Sequence, residues 1–221
     1  MHPKKLSKPK IEINIVFKIT RSAKSPSKAK VANTKNTSTE LTAPSSADID
    51  QKETIYFSAI DGEYGVFSQS YDSPFTSPGG IKFATAVQYM MYHKARLCAD
   101  PDSMKKIQAA LTPAEAKALG KKVWNYSDDG WDVFKLGIIM DGTYLKFTST
   151  DALRDQLLGT GRRELVNATP GNRVWGIGYA AEDAEANRSD WGENHLGRSL
   201  MAIREQIRCE MRGERLWPVD Q

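Results

Sequence analysis

Two short Trp-Gly turns carry the residue types in this sequence that are best suited to chemistry. Trp175 lies in NATPGNRVWGIGY (167–179) and Trp191 in SDWGENHLGRSLMAIR (189–204). A flat aromatic ring beside amide groups and a helix N-terminus suits a purine or pyrimidine attached to a ribose phosphate. The polar residues that accompany the two turns are Asn172, Arg173, Asn194 and Arg198.

A second interpretation of residues 167–179 is that they form only a tight turn and bind no ligand. Pro170-Gly171-Asn172 has turn composition, Trp175 could anchor the loop in the core, and Gly176 and Gly178 would let the chain turn away. The segment lacks GxxxxGK[ST], and its two glycines without a third make a poor dinucleotide fingerprint. The loop by itself leaves both interpretations open.

The elements that must position these turns follow from hydrophobic periodicity, which predicts a mainly helical α+β domain over residues 51–212. Thr85 is a predicted N-cap, Thr112 with Glu115 a predicted capping box, and Thr150 a third N-cap. The predicted helices are 85–98, 103–111, 112–120, 131–147, 150–161 and 195–211. The predicted strands are 54–60, 61–69 and 164–168, which form a small sheet that begins near the start of the domain.

Charge is distributed unevenly along the chain. Residues 1–46 hold ten Lys/Arg and two acidic residues, a net +8, whereas all 221 residues carry +4, so residues 47–221 carry −4. Residues 1–50, rich in Lys, Ser and Thr, are predicted to be a disordered basic tail, in which IEINIVFKIT (11–20) could form a strand or a local binding element. Nucleic acid is not an expected partner, apart from weak contacts by this tail. Residues 213–221 are assigned to a C-terminal extension.

Cysteine and histidine usage indicates neither a disulfide framework nor a metal site. Cys98 and Cys209 are far apart in the sequence, and the three histidines do not cluster. No apolar run approaches the roughly 20 residues that span a bilayer. We therefore expect a cytoplasmic protein with no membrane partner, and organelle targeting by residues 1–50 is the alternative.

The order of motifs over residues 54–208 resembles the NADAR (YbiA-like) family from end to end. The matching segments are GVFSQ…SPF, FATAVQYMMYHKA, GWDVFKLGIIMDGTYLKF, LLGTGRRELVNATPGNRVWGIGY and DWGENHLGRSLMAIREQI. The resemblance implies a compact, mostly helical YbiA-like domain and an N-glycosidase. Known members cleave the bond between ribose and a base or amine, in riboflavin-pathway intermediates or in ADP-ribosylated guanine. The resemblance implies no metal or redox cofactor and a small nucleotide or ribosylamine substrate.

Three positions that carry an acid in the family are neutral in this chain: Val87, Asn167 and Asn172. Breaking a glycosidic C–N bond passes through a ribosyl cation-like state. A carboxylate near the bond either stabilises this cation or activates the attacking water. Valine can do neither. Asp190 and Glu193 are the predicted replacement carboxylates. Lys94 lies two helical turns from position 87 and faces the same side; it is included in the predicted catalytic set and is expected to bind phosphate or ribose. Lys94 could instead be a solvated or snorkelling lysine.

The remaining family pattern supplies the predicted substrate-binding residues: Tyr89, Trp131, Asn172, Trp175, Gly176, Gly178, Trp191, Asn194 and Arg198. Three functions fit the sequence. The first is an N-glycosidase acting on a nucleotide-like substrate. The second is a catalytically degenerate member that binds ADP-ribose or a nucleotide without cleavage. The third is a repurposed tailoring enzyme that acts on another small molecule.

Overall fold

The computed structural model describes residues 54–58 and 60–214, which form seven α-helices, two 3-10 helices and two small sheets. The predicted tail with IEINIVFKIT and the end of the C-terminal extension lie outside the described residues. The helices are α1 Ala86–Leu97, α2 Pro101–Gln108, α3 Pro113–Gly120, α4 Asp128–Thr148, α5 Asp151–Leu158, α6 Ala181–Ala184 and α7 His195–Met211. The strands are β1 Ile55–Phe57, β2 Phe75–Thr76, β3 Lys82–Phe83 and β4 Leu165–Asn167.

Threonine caps begin three of the helices, as predicted. The side chain of Thr85 accepts a hydrogen bond from Gln88 N, that of Thr112 from Glu115 N, and that of Thr150 from Leu153 N. Each cap satisfies one of the backbone amides that the first helical turn leaves without a partner. The Glu115 carboxylate accepts from the amide of Leu111 rather than from that of Thr112, so the predicted capping box closes one residue earlier in the chain.

The first strand pairs with a segment more than 100 residues away. β1 and β4 are parallel, with Ile55 opposite Leu165 and Phe57 opposite Asn167. β2 and β3 form a separate antiparallel hairpin, which the sequence analysis did not predict because Pro and Gly dominate that segment. The mainly helical α+β class is confirmed.

The predicted second strand over 61–69 is wrong. This segment is a turn followed by a 3-10 helix, Gly65–Phe67. A half-buried strand alternates buried and exposed residues, whereas Gly65, Val66 and Phe67 are all buried here. A single helical turn buries the consecutive Val66 and Phe67 side chains, and an edge strand could not.

The core has two main clusters, joined by helix α4. One cluster surrounds α1 and includes Val87 and Ile139, and the other packs α7 against the β1–β4 sheet and includes Phe147. Trp175 packs against both clusters. Among the described residues, none of the helices combines the length and the apolar character that crossing a bilayer requires. The seam between the two clusters is where the candidate site lies.

Candidate active site

A cavity of about 670 Å³ opens at the seam between the two core clusters, and we call it the main cavity. Its walls come from the end of β1, the segment after the first 3-10 helix, α1, the end of α3, α4, β4 and the first Trp-Gly turn. The lining residues are Phe57, Ser58, Ile60, Ser68, Gln69, Ser70, Val87, Met90, Met91, Lys94, Lys117, Gly120, Lys121, Ile139, Asn167, Thr169, Asn172, Trp175 and Leu196. This volume is within the usual range for small-molecule sites.

The three positions at which the resemblance to the family led us to expect an acid meet in the main cavity. Val87, Asn167 and Asn172 come from α1, β4 and the first Trp-Gly turn, and all three line it. Asn167 Nδ2 donates to the carbonyl of Trp175 at 3.2 Å, and Asn172 Oδ1 accepts from the amide of Trp175 at 3.1 Å. Both asparagines therefore hold Trp175 in the cavity wall.

The charge of the main cavity is positive. Its described lining contains no Asp or Glu and three lysines, Lys94, Lys117 and Lys121. Lys117 and Lys121 are exposed, lie one helical turn apart at the end of α3, and have no carboxylate within ion-pair distance in the described part of the chain. Because opposite charges attract most strongly where water is partly excluded, the cavity suits an anionic ligand.

Lys94 stands at the boundary between the main cavity and a smaller one of about 220 Å³, which we call the side cavity. Its Nζ lies 3.8 Å from the ring centroid of Tyr126 and 5.9 Å from that of Trp131. Burial lowers the pKa of Lys94, and the Cys98 thiol and Asp128 only partly oppose this. Lys94 is half-buried, which fits a snorkelling side chain as well as a site residue.

The two predicted pocket tryptophans line neighbouring cavities rather than one. Trp175 is in the wall of the main cavity, and Trp131 lines the side cavity with Tyr126 and Phe134. Lys94 is the residue that lines both. A ligand that spans the two cavities would therefore pass the Lys94 ammonium.

Gly176 and Gly178 shape the first Trp-Gly turn and do not line either cavity. A Cβ on Gly176 would lie 2.4 Å from the carbonyl oxygen of Asn167, so only glycine allows this approach to β4. Gly178 has φ of +87°, a conformation that side chains with a Cβ rarely adopt. The turn is thus both a structural device and part of the site, since Trp175 lines the main cavity.

The second Trp-Gly turn supports the fold and lies outside both cavities. Trp191 donates from Nε1 to the carbonyl of Ala184 at 2.7 Å and packs edge-on against Tyr56. Asn194 is buried, with Oδ1 accepting from Asn167 N and Nδ2 donating to the carbonyl of Leu165, both at 3.0 Å. Its side chain therefore fastens the start of α7 to β4.

The two predicted replacement carboxylates also lie outside the main cavity. Asp190 is hydrogen-bonded by Tyr179 and paired with Arg173, which together lower its pKa. Glu193 pairs with His195. Each carboxylate is exposed and engaged with a neighbour on the surface, so the structure brings neither of them to Val87.

Two further predicted binding residues do not reach the cavities. Tyr89 is in the core, where it packs against Phe75, Phe83 and His93, and burial raises its pKa. Arg198 is exposed on α7 and lines neither cavity.

The sequence analysis did not predict several of the residues that line the main cavity. Ser68 and Gln69 belong to the GVFSQ segment, whose match to the family was noted without a role. Lys117 and Lys121 flank Gly120, and their i, i+4 spacing was the signal that two cations share one helix face.

Comparisons with known proteins place this chain in a family. The NADAR domain matches residues 56–208. N-glycosidase R617 of Acanthamoeba polyphaga mimivirus is 39% identical over 127 residues, which cover 57% of this chain and 75% of that protein. N-glycosidase Npun_R5314 of Nostoc punctiforme is 36% identical over 160 residues, 70% of this chain and 93% of that protein.

A solved structure has the same fold. The NMR structure of the E. coli protein YbiA matches with a TM-score of 0.62 at 25% identity, over 73% of this chain and 89% of that one. The chain belongs to the NADAR family. The sequence predicted a hydrolase of glycosyl C–N bonds. Both of these relatives are named N-glycosidases, which are enzymes of that class.

Proposed function

We propose that this chain is an N-glycosidase that hydrolyses the C–N bond between ribose and a base or amine in a phosphorylated, nucleotide-like compound. Family membership supports the reaction type. The observation that carries the substrate class is the main cavity, in which three lysines and an indole ring face a space with no described carboxylate. Riboflavin-pathway ribosylamines and ADP-ribosylated guanine both have the required phosphate, ribose and flat base.

Each part of such a substrate has a matching group in the wall. Lys117 and Lys121 bind the phosphate as point charges at the mouth of the cavity. Trp175 offers its ring to the base, and the bond to be cleaved lies between these two, near Val87 and Lys94. The side cavity, with Tyr126 and Trp131, provides a second aromatic surface for a larger base.

Lys94 is the nucleophile in this proposal. Its lowered pKa increases the fraction of neutral amine, which is the form that attacks carbon. A ribosylamine whose nitrogen carries a hydrogen opens to an imine at C1. The Lys94 amine adds to C1, the base nitrogen leaves with a proton, and water hydrolyses the lysine imine to release the sugar aldehyde and restore the amine.

The experiment combines product release with chemical trapping. The purified chain is incubated with ribosylaminopyrimidine phosphate or ADP-ribosylated guanine, free base is followed, and borohydride is added to reduce any lysine imine. Base release with a reduced adduct on the Lys94 peptide is expected, and both are lost in Lys94→Arg. Lys122→Arg, at an exposed lysine outside both cavities, is the matched control. Base release that persists in Lys94→Arg would refute the assignment.

Binding without cleavage is the second candidate, and a specific observation favours it. The family's acid positions converge in the main cavity as Val87, Asn167 and Asn172, and both asparagine side chains are already engaged with Trp175. Loss of a general acid or base costs about 10²- to 10⁴-fold in rate. Calorimetric binding of ADP-ribose without base release, and base release gained only in Val87→Glu, would support this candidate over the first.

A further inference from the structure

A buried lysine lies behind the wall of the main cavity. Lys146, near the end of α4, has no exposed surface, and its Nζ donates to the carbonyl of Val66 at 2.6 Å and to that of Ser68 at 2.8 Å. The rings of Tyr71 and Phe147 lie 5.3 and 5.1 Å from the same atom. In the described part of the chain no carboxylate pairs with it. Two backbone carbonyls and two aromatic faces therefore surround the ammonium.

These carbonyls belong to the backbone that leads into the cavity wall. Ser68, Gln69 and Ser70 follow the first 3-10 helix, and all three line the main cavity; we call them the strap. Lys146 holds the beginning of the strap through the Ser68 carbonyl. Since the carbonyl of Val66 is held as well, the ammonium holds the middle of the 3-10 helix Gly65–Phe67 and the residue that follows it.

Two further hydrogen bonds hold the middle of the strap. Gln69 Nε2 donates to Thr143 Oγ1 at 2.9 Å, one turn before Lys146 on α4. The carbonyl of Gln69 accepts from the amide of Val87 at 2.9 Å, in the first turn of α1. Hydrogen bonds therefore connect the strap to α4 on one side and, on the other, to the first turn of α1, which faces the bond to be cleaved in the proposed function.

The strap supplies the cavity with uncharged hydrogen-bonding groups. Gln69 is largely buried, and its Oε1 has no hydrogen-bond partner among the described residues. This oxygen has almost no accessible surface, so the Gln69 side chain serves to tie the strap to Thr143. Ser68 and Ser70 add two hydroxyl groups to the same wall.

We propose that Lys146 is a positioning residue of the active site, whose ammonium fixes the strap in the position that binds the ribosyl part of the substrate. This inference rests on the proposed function. Burial lowers the pKa of Lys146 to about 7, and in either protonation state the amine has enough N–H groups to donate to both carbonyls. Without it the Val66 carbonyl is buried with no donor among the described residues and the Ser68 carbonyl keeps only the amide of Tyr71, at 3.2 Å, so we expect the strap to shift.

Lys146→Met tests the inference because it keeps the apolar part of the side chain and removes the amine that donates to both carbonyls. We expect KM to rise at least tenfold with kcat within about threefold of the parent value, since the nucleophile Lys94 is untouched. Lys146→Arg retains a cation and is expected to recover part of the loss. Lys122→Met, on an exposed lysine outside both cavities, is the matched control and should leave KM unchanged. A folded Lys146→Met enzyme with the parent KM would overturn the inference.

A measurement without substrate separates this inference from the proposed function. Hydrogen exchange at the Val87 amide reports on its bond to the Gln69 carbonyl, and it is expected to be at least tenfold faster in Lys146→Met than in Lys122→Met. If the parent chain cleaves none of the substrates, the proposed function is rejected. Faster exchange in Lys146→Met would still show that Lys146 holds the strap in place. Lys146→Gln, which can still donate to one carbonyl, is measured if Lys146→Met does not fold. Failure of both variants to fold would assign Lys146 to global stability and overturn the positioning role.

Discussion

Replacing Asp141 by Asn is expected to stabilise the protein at neutral pH and to have much less effect in acid. Asp141 lies half-buried on α4, next to Gly142, against which the Tyr89 ring packs. Burial raises the pKa of its carboxyl to about 6 from the ordinary 3.8. The folded state therefore holds this proton more tightly than the unfolded chain does.

The sign and size of the effect follow from that difference. An acid whose pKa is raised by folding favours the folded state at low pH, and this advantage is lost as the pH rises from about 4 through 6. A difference of roughly two pKa units corresponds to about 3 kcal/mol of unfavourable burial once the carboxylate is fully ionised. At pH 4 most of the carboxyl is protonated in the folded state, and the unfavourable contribution of its burial to the free energy of folding falls below about 1 kcal/mol.

Urea unfolding of the parent and of Asp141→Asn at pH 4 and pH 8 measures this effect. The expected gain in the free energy of unfolding is about 1–3 kcal/mol at pH 8, and most of it disappears at pH 4. Asp72→Asn, at an exposed loop carboxylate, is the control and should change stability by less than about 0.5 kcal/mol at both pH values. A gain that is equal at the two pH values would refute burial of the charge as its cause.

Four other substitutions have defined outcomes. Gly197→Ala places a methyl group 2.1 Å from the carbonyl oxygen of Leu165, and a loss of about 2–4 kcal/mol is expected in urea unfolding. Asn194→Ala removes both hydrogen bonds that join α7 to β4 and is expected to cost about 3 kcal/mol in the same assay. Lys117→Ala and Lys121→Ala are each expected to raise KM for a phosphorylated substrate about tenfold, because each removes one charged contact to the phosphate. An unphosphorylated analogue should show no such change, and a parallel rise for it would exclude a phosphate role.

Several helix boundaries were predictable from the sequence because the signals that fix them are local. The predicted starts at 103 and 131 were wrong, since α2 begins at Pro101 after the Asp100 cap and α4 at Asp128 after the Ser127 cap. Thr85, Thr112 and Thr150 each accept a hydrogen bond from an amide three residues later, and that spacing is visible in the sequence. The final helix was predicted from the spacing of its apolar residues and has the predicted bounds. The β2–β3 hairpin was not predictable in this way, since its strands have two residues each.

The candidate site was predicted in part. Placing position 87, Lys94, Asn172 and Trp175 together required only the family pattern, and all four line one cavity. Trp131 was expected beside Trp175, but whether two aromatic rings share a cavity depends on how α4 packs, which sequence spacing does not encode. The exposed Lys117 and Lys121 have the composition of an ordinary solvated helix face, so only their position at the cavity mouth marks them.

The parallel pairing of β1 with β4 also constrains when the site can form during synthesis. Phe57 and Ser58 stand in the cavity wall, yet β1 finds its partner only at Leu165–Asn167, and the Trp175 turn that completes the wall follows β4. A nascent chain that emerges from the ribosome N-terminus first must therefore keep the first strand without a partner through the synthesis of five helices. Pairing over so long a loop delays folding, so an incompletely translated chain that ends before Leu165 would expose its apolar strand and have no binding activity.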